Sequence, residues 1–149
     1  MLLGTFAPKL DEKGRVILPA KFWDEFSGGL VMTRGVDRCV FVYSDREFEK
    51  VLSSMSAAPV TTKEQRDRDR LFLSGASQEI PDKQRRVTIP SMLREYAALD
   101  RELTMIGVGT RAEIWDAKAW DAFYAARESG YATGTASAEN GGEVIAGPF

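Results

Sequence analysis

The feature that most constrains this chain is a nine-residue block that occurs twice. Asp11-Glu12-Lys13-Gly14-Arg15-Val16-Ile17-Leu18-Pro19 returns 71 positions later as Asp82-Lys83-Gln84-Arg85-Arg86-Val87-Thr88-Ile89-Pro90, with Asp, Arg, Val and Pro identical at four of the nine positions. The likeness continues downstream. Phe22 corresponds to Leu93 and, after a one-residue slip, Gly35 to Gly107, Val42-Tyr43 to Ile114-Trp115 and Phe48 to Trp120. Self-similarity of this length means two copies of one structural unit. A two-faced sheet in so short a unit cannot close its own edges, so the copies are expected to pair across a pseudo-twofold axis.

Each copy reads strand, turn, strand, helix, strand, strand, helix. Met1 to Phe6 has strand-like content, and Gly14 suits a turn that needs a positive φ. Arg15 to Leu18 reads as a short buried strand, and Pro19 pre-sets a helix through Phe26. Leu30 to Thr33 and Cys39 to Tyr43 are strands. Ser44-Asp45-Arg46-Glu47 matches a capping box ahead of an amphipathic helix carrying Phe48, Val51, Leu52 and Met55. The second copy follows with a turn at Asp82 to Arg85, a strand at Arg86 to Ile89 and a helix from Pro90 to Tyr96. Strands at Leu103 to Ile106 and Ala112 to Trp115 come next, then a helix capped by Asp116 with Trp120, Phe123 and Tyr124 on one face. The expected fold class is α+β, a pseudo-twofold barrel of two βαββα-type repeats. The expected divisions are residues 1–56 as first repeat, 57–79 as a linker with a charged helix, 80–129 as second repeat and 130–149 as a flexible tail. The alternating charges from Lys63 to Arg70 suit either a solvated helix face or a seat against a neighbouring subunit.

Composition removes several functions. The chain has no His and one Cys, so a Ser-His-Asp or Cys-His nucleophile and a Cys/His zinc site are out of reach. Cys39 is expected to pack as a small strand hydrophobe rather than react. With no disulfide framework, a reducing cytosol is the natural compartment. No segment reaches the ~18 apolar residues of a spanning helix, so no membrane partner is expected, and nothing points to a cofactor or metal. Net charge is −2, but residues 131–149 hold Glu139 and Glu143 and no Lys or Arg, so the remainder is balanced at 20 against 20. DNA binding would therefore need a local basic patch.

Such patches occur at the repeated turns. Lys9, Lys13 and Arg15 gather at one, Lys83, Arg85 and Arg86 at the other, around the turn residues Asp11, Gly14 and Asp82. Arg can grip a phosphate or the O6/N7 edge of guanine with two hydrogen bonds. A structural reading stands beside this one: Asp11 accepts backbone N–H groups of its own turn while Arg15 stacks over the end of the barrel.

Asp11 to Pro19 and Asp82 to Pro90 resemble the paired Asp-x-x-x-Arg signatures of the MraZ family of bacterial transcriptional regulators. The opening Met1-Leu2-Leu3-Gly4-Thr5-Phe6 and the Trp115-Asp116 pair also fit, so the resemblance covers roughly residues 1 to 130. More distantly, Gly14 to Pro19 is similar to the loop-strand motif of AbrB-type DNA-binding modules. The resemblance implies a swapped-hairpin or double-psi barrel, assembly into a homo-oligomeric ring, and a cytoplasmic, nucleoid-associated protein. It also implies binding to double-stranded DNA at short direct repeats upstream of division and cell-wall genes, with Arg15 and Arg86 as the contacts. The chain departs from the family at Gln84-Arg85, which replaces the Gly next to Arg86 and is expected to stiffen the second loop. Two readings compete with a DNA-binding regulator. One is an enzyme on the same barrel, for which Ser27-Gly28 runs in the wrong order for a Gly-Ser cleavage junction. The other is a non-catalytic protein-interaction scaffold using the charged segment or the tail.

Overall fold

The computed structural model describes residues 1–59 and 62–135. Its strands are β1 (Leu2–Phe6), β2 (Arg15–Ile17), β3 (Leu30–Arg34), β4 (Val40–Ser44), β5 (Ser77–Glu79), β6 (Arg86–Thr88), β7 (Leu103–Gly109) and β8 (Ala112–Asp116). Its helices are α1 (Trp23–Phe26), entered through a 3-10 turn at Ala20–Phe22, then α2 (Asp45–Ala57), α3 (Lys63–Ser74), α4 (Ser91–Tyr96) and α5 (Ala117–Thr133). This is the expected α+β class, with every strand pair antiparallel.

Six strands form one sheet in the order β1-β7-β8-β4-β3-β5, and β2 and β6 form a separate two-stranded ribbon. The order is unchanged when β1 is exchanged for β5, β7 for β3 and β8 for β4, which is the pseudo-twofold that the repeat demands. Each half lends its first strand to the other. β1 pairs with β7 from Leu2↔Gly109 to Phe6↔Met105, and β5 pairs with β3 from Leu30↔Glu79 to Met32↔Ser77. At the axis β4 meets β8, with Phe41 opposite Glu113. Glu113 is buried yet fully occupied: it accepts from Arg111 at 2.8 Å and from the Trp115 indole at 3.0 Å.

A barrel closed by hydrogen bonds is not what the described residues form. No ladder among them joins β1 to β5, so the sheet stays open, and closure is by side chains. Both outer strands are short, and the ribbon covers the sheet instead. Val16 and Leu18, with Val87 and Ile89, bury against Leu30, Met32, Leu103 and Met105, while Phe22 and Phe26 of the first half and Leu93 and Ala97 of the second seal the flanks. Alternation decides which face turns inward: Val16 and Val87 are buried, whereas Ile17 and Thr88 are exposed.

Local signals account for the helix starts. The Ser44 hydroxyl accepts from Glu47 N at 3.1 Å, Thr62 caps Gln65 N at 3.1 Å and Asp116 caps Ala119 N at 3.3 Å. The capping box is half made, because Glu47 turns its carboxylate to Lys50 at 3.0 Å. Outside the main core, Tyr43, Phe48 and Phe72 form one aromatic cluster, and Trp115, Trp120 and Phe123 form its counterpart under α5. Cys39 is buried, and that burial pushes its thiol well above the ordinary value, as befits a packed hydrophobe. The helix α5 runs to Thr133, into the stretch expected to be a tail, and ends on Gly134 at φ 76°. The rest of that stretch, 136–149, lies outside the described residues.

Candidate nucleic-acid interface

The two Asp-x-x-x-Arg turns fold in the same way, bond for bond. Asp11 Oδ1 accepts from the backbone N–H groups of Lys13 at 2.9 Å and Arg15 at 2.8 Å, and Oδ2 takes Arg15 Nε at 2.8 Å. Asp82 Oδ1 accepts from Gln84 N at 2.9 Å and Arg86 N at 2.9 Å, and Oδ2 takes Arg86 Nε at 2.7 Å. The Arg backbone N–H groups, foremost among the causes, hold both carboxyls below the ordinary aspartate range. A carboxylate that binds its own turn fixes the backbone locally. Here it also locks one edge of a guanidinium whose side chain stays about one-third exposed, 31% for Arg15 and 36% for Arg86. Among the described residues neither Nη of Arg15 or Arg86 has a partner.

The structural reading of Asp11 is thus correct for the Asp, and the binding reading stays open for the Arg. Both hold at once.

The turns are also interlocked. Leu18 N donates to Arg85 O and Ile89 N to Gly14 O, each at 2.8 Å, so each turn caps the strand of the other half. Gly14 stands at φ 79°, and Arg85, in the same place, stands at φ 65°. The missing Gly does not alter the second turn. It leaves Arg85 in a left-handed conformation that costs an L-residue ~1–2 kcal/mol. Arg85 Nε in turn binds Leu18 O at 3.0 Å. On the other side Gly14 has no side chain, and Arg94 of α4 fills the gap: its Nε binds Ile89 O at 2.9 Å, and its guanidinium packs over Gly14. Two arginines from unrelated positions thereby serve equivalent carbonyls. Sequence reasoning missed Arg94, although Gly14 opposite Arg85 signalled that one turn lacked a guanidinium.

On the ribbon, Arg15 lies opposite Thr88 and Ile17 opposite Arg86. Its outer face is therefore Arg15, Ile17, Arg86 and Thr88, with no carboxylate among the four. A surface depression beside it is lined by the cations Lys9, Arg15, Arg86 and Arg101, the carboxylates Asp11 and Glu12, and Ile17. Lys9 joins this patch while reaching Glu102 at 3.8 Å, and Arg101 is a further cation that the sequence did not flag. Lys13 and Lys83 are exposed at the turn tips. The structure thus brings Arg15, Arg86 and Lys9 to one depression, leaves Lys13 and Lys83 exposed at the turn tips outside its lining, and uses Arg85 partly to hold the turn. Among the described residues no three His, Cys, Asp or Glu side chains form a metal-binding group, and no helix is long and apolar enough to cross a membrane.

Comparison with known proteins agrees with this duplicated geometry. A family model described as "MraZ protein, putative antitoxin-like" matches the chain twice, over residues 1–71 and 72–139. A protein named Transcriptional regulator MraZ from Leifsonia xyli subsp. xyli is 60% identical over 132 residues, spanning 89% of this chain and 92% of that one. Its namesake from Clavibacter michiganensis subsp. michiganensis is 56% identical over 149 residues, the whole of both chains. That from Micrococcus luteus is 52% identical over 149 residues, again the whole of both. With both turns present and both halves matched, the chain belongs to the MraZ family.

Proposed function

We propose that the protein is a sequence-specific DNA-binding transcriptional regulator that reads double-stranded DNA with the outer face of the β2–β6 ribbon. The observation that carries this reading is that Arg15 and Arg86 share that face, each keyed by its own Asp with both Nη groups unpartnered among the described residues. The major groove is about 12 Å wide and admits a two-stranded ribbon. A guanidinium held at Nε offers its Nη pair to guanine O6/N7, and such a contact discriminates by ~1–3 kcal/mol. Lys9, Lys13 and Lys83 suit phosphates, which add affinity without sequence and weaken with salt. Arg85 adds charge from a fixed position.

The balanced charge gives one subunit little non-specific hold, so useful affinity requires several subunits. A homo-oligomeric ring acting on short direct repeats upstream of division and cell-wall genes fits that need, as does a cytoplasmic, nucleoid-associated location. The exchange of β1 and β5 between halves supports the swapped-hairpin description of the fold. No catalytic step belongs to this reading. A scaffold role would rest on the apolar groove lined by Val36, Phe41, Met55, Leu71 and Phe72.

The test is a titration of probes carrying one, two and three repeats from the DNA upstream of the chain's own coding sequence. Linked contacts raise avidity by ~10²–10⁴. Affinity should climb steeply with repeat number and fall when half a helical turn is inserted, because repeats about 10–10.5 base pairs apart share a face. Equal binding to all probes contradicts the array. No binding to any of them contradicts DNA recognition and favours the scaffold.

A further inference from the structure

The outer face of the ribbon contains a side chain that phosphate or guanine recognition leaves unused. Ile17 is 52% exposed, directly opposite Arg86 and two residues along the same face from Arg15. A single exposed aliphatic residue is ordinary. This one differs in its setting, because it shares its depression with four cations, Lys9, Arg15, Arg86 and Arg101, against two carboxylates, Asp11 and Glu12, of which Asp11 is bound to its own turn. Its pseudo-symmetric counterpart, Thr88, also carries a methyl and lies opposite Arg15. Both arginines on this face are therefore paired across the ribbon with a methyl-bearing side chain.

We infer that Ile17 is a specificity-determining residue that packs on the C5-methyl group of a thymine beside the base read by an arginine. The inference rests on the DNA-binding reading and sharpens it. A ribbon lying in the major groove presents its outward side chains to base edges, where thymine is marked by its methyl and cytosine by its amino donor. Cross-strand neighbours have Cβ atoms only ~4.5–5.5 Å apart, so Ile17 and Arg86 meet adjacent base pairs. Surrounding cations hold the phosphates and exclude water from the centre, where an apolar contact gains most. Because Thr88 has one methyl and a hydroxyl where Ile17 has a larger aliphatic surface, the two halves of the ribbon read unequally. The bound DNA site is accordingly directional.

The experiment replaces thymines one at a time by deoxyuridine in the upstream duplex, which removes only the C5-methyl, and measures binding of the full chain by fluorescence anisotropy. Wild type should lose about three- to five-fold at one or more positions, the effect of losing ~0.8 kcal/mol per buried methyl-sized group. Ile17→Ser should bind the unmodified duplex several-fold more weakly and become indifferent to uracil at that same position. Ile17→Val should restore most of the discrimination. If uracil is harmless everywhere, or if its penalty persists unchanged in Ile17→Ser, the inference fails while DNA recognition stands. If Ile17→Ser changes the oligomeric state on size exclusion, Ile17 belongs to a subunit contact and the inference is overturned. If wild type ignores the upstream duplex altogether, the underlying reading fails with it.

Discussion

Gly14→Ala tests whether the first turn is held as described. Gly14 has φ 79°, and a Cβ there would lie 2.8 Å from Arg94 Cζ and 3.0 Å from its Nε. The left-handed conformation costs alanine ~1–2 kcal/mol. The guanidinium must move, and losing its 2.9 Å bond to Ile89 O costs about 1 kcal/mol. Against this, alanine loses less entropy on folding, worth ~0.4–1 kcal/mol. The net destabilisation is about 2 kcal/mol, which for a chain of this size lowers the melting midpoint by roughly 4–8 °C. Circular-dichroism melts at matched protein concentration read it directly. The double variant Gly14→Ala/Arg94→Ala isolates the clash: with the guanidinium gone, alanine adds only conformational strain. The two changes should therefore be non-additive by about 1 kcal/mol. The reciprocal variant, Arg85→Gly, relieves strain but forfeits the bond to Leu18 O and should stay near neutral. A Gly14→Ala stability within ~0.5 kcal/mol of wild type, or strict additivity with Arg94→Ala, would refute this account of the turn.

Three further outcomes follow from the same geometry. Gly107→Ala should detach β1, because the new Cβ would overlap the backbone carbonyl carbon of Leu2 and the nitrogen of Leu3; exposing Leu2 alone costs ~1.5–3 kcal/mol, so early proteolysis near the amino terminus is expected, and a wild-type cleavage pattern contradicts it. Because Asp11 and Asp82 titrate below their ordinary 3.8, their contribution to stability is complete above that pH and disappears as pH falls through the lowered values. A melting series from pH 7 to 2 should fall more steeply below pH 4 in wild type than in Asp11→Asn/Asp82→Asn, and identical profiles would exclude the carboxylates. Arg101→Ala should weaken DNA binding less than Arg15→Ala and reduce its salt dependence, as loss of a phosphate contact does; a loss of sequence preference would instead make Arg101 a base reader.

What the sequence made legible is what local bonding determines. The Asp-x-x-x-Arg turn closes within five residues, so its hydrogen bonds were implicit in the repeat, and so were the helix starts at Ser44 and Asp116. The partners of these pieces were not legible. Nothing in Arg15-Val16-Ile17 says that it lies against Arg86-Val87-Thr88, since that register is set by burying Val16 and Val87 together. The repeat calls for a strand ahead of the second turn, but Ser77-Gln78-Glu79 has no apolar alternation to place it; β5 exists through its ladder to Leu30–Met32. The shape of the second loop was not legible either, because the residue that answers to Gly14 is not a Gly. Arg85 adopts the same φ region, held by Leu18 from the opposite half. The closed barrel assumed that paired repeats must join their edges by hydrogen bonds, whereas here the ribbon and four flanking core residues cover the sheet. Arg94 depends on a contact between α4 and a turn eighty positions earlier, which no local pattern records.

The central claim is most directly tested by comparing wild type, Arg15→Ala, Arg86→Ala and the double variant on the upstream duplex and on a scrambled duplex of equal length and composition. Melting curves are taken on the same samples. Each single variant should lose roughly 5- to 150-fold in affinity for the upstream duplex, the span of one bidentate base contact, with its melting midpoint little changed. The double variant should bind both duplexes alike. If all four proteins keep the wild-type preference, or if the arginine variants lose binding only because they unfold, the ribbon is not the reading surface and the proposed function is wrong.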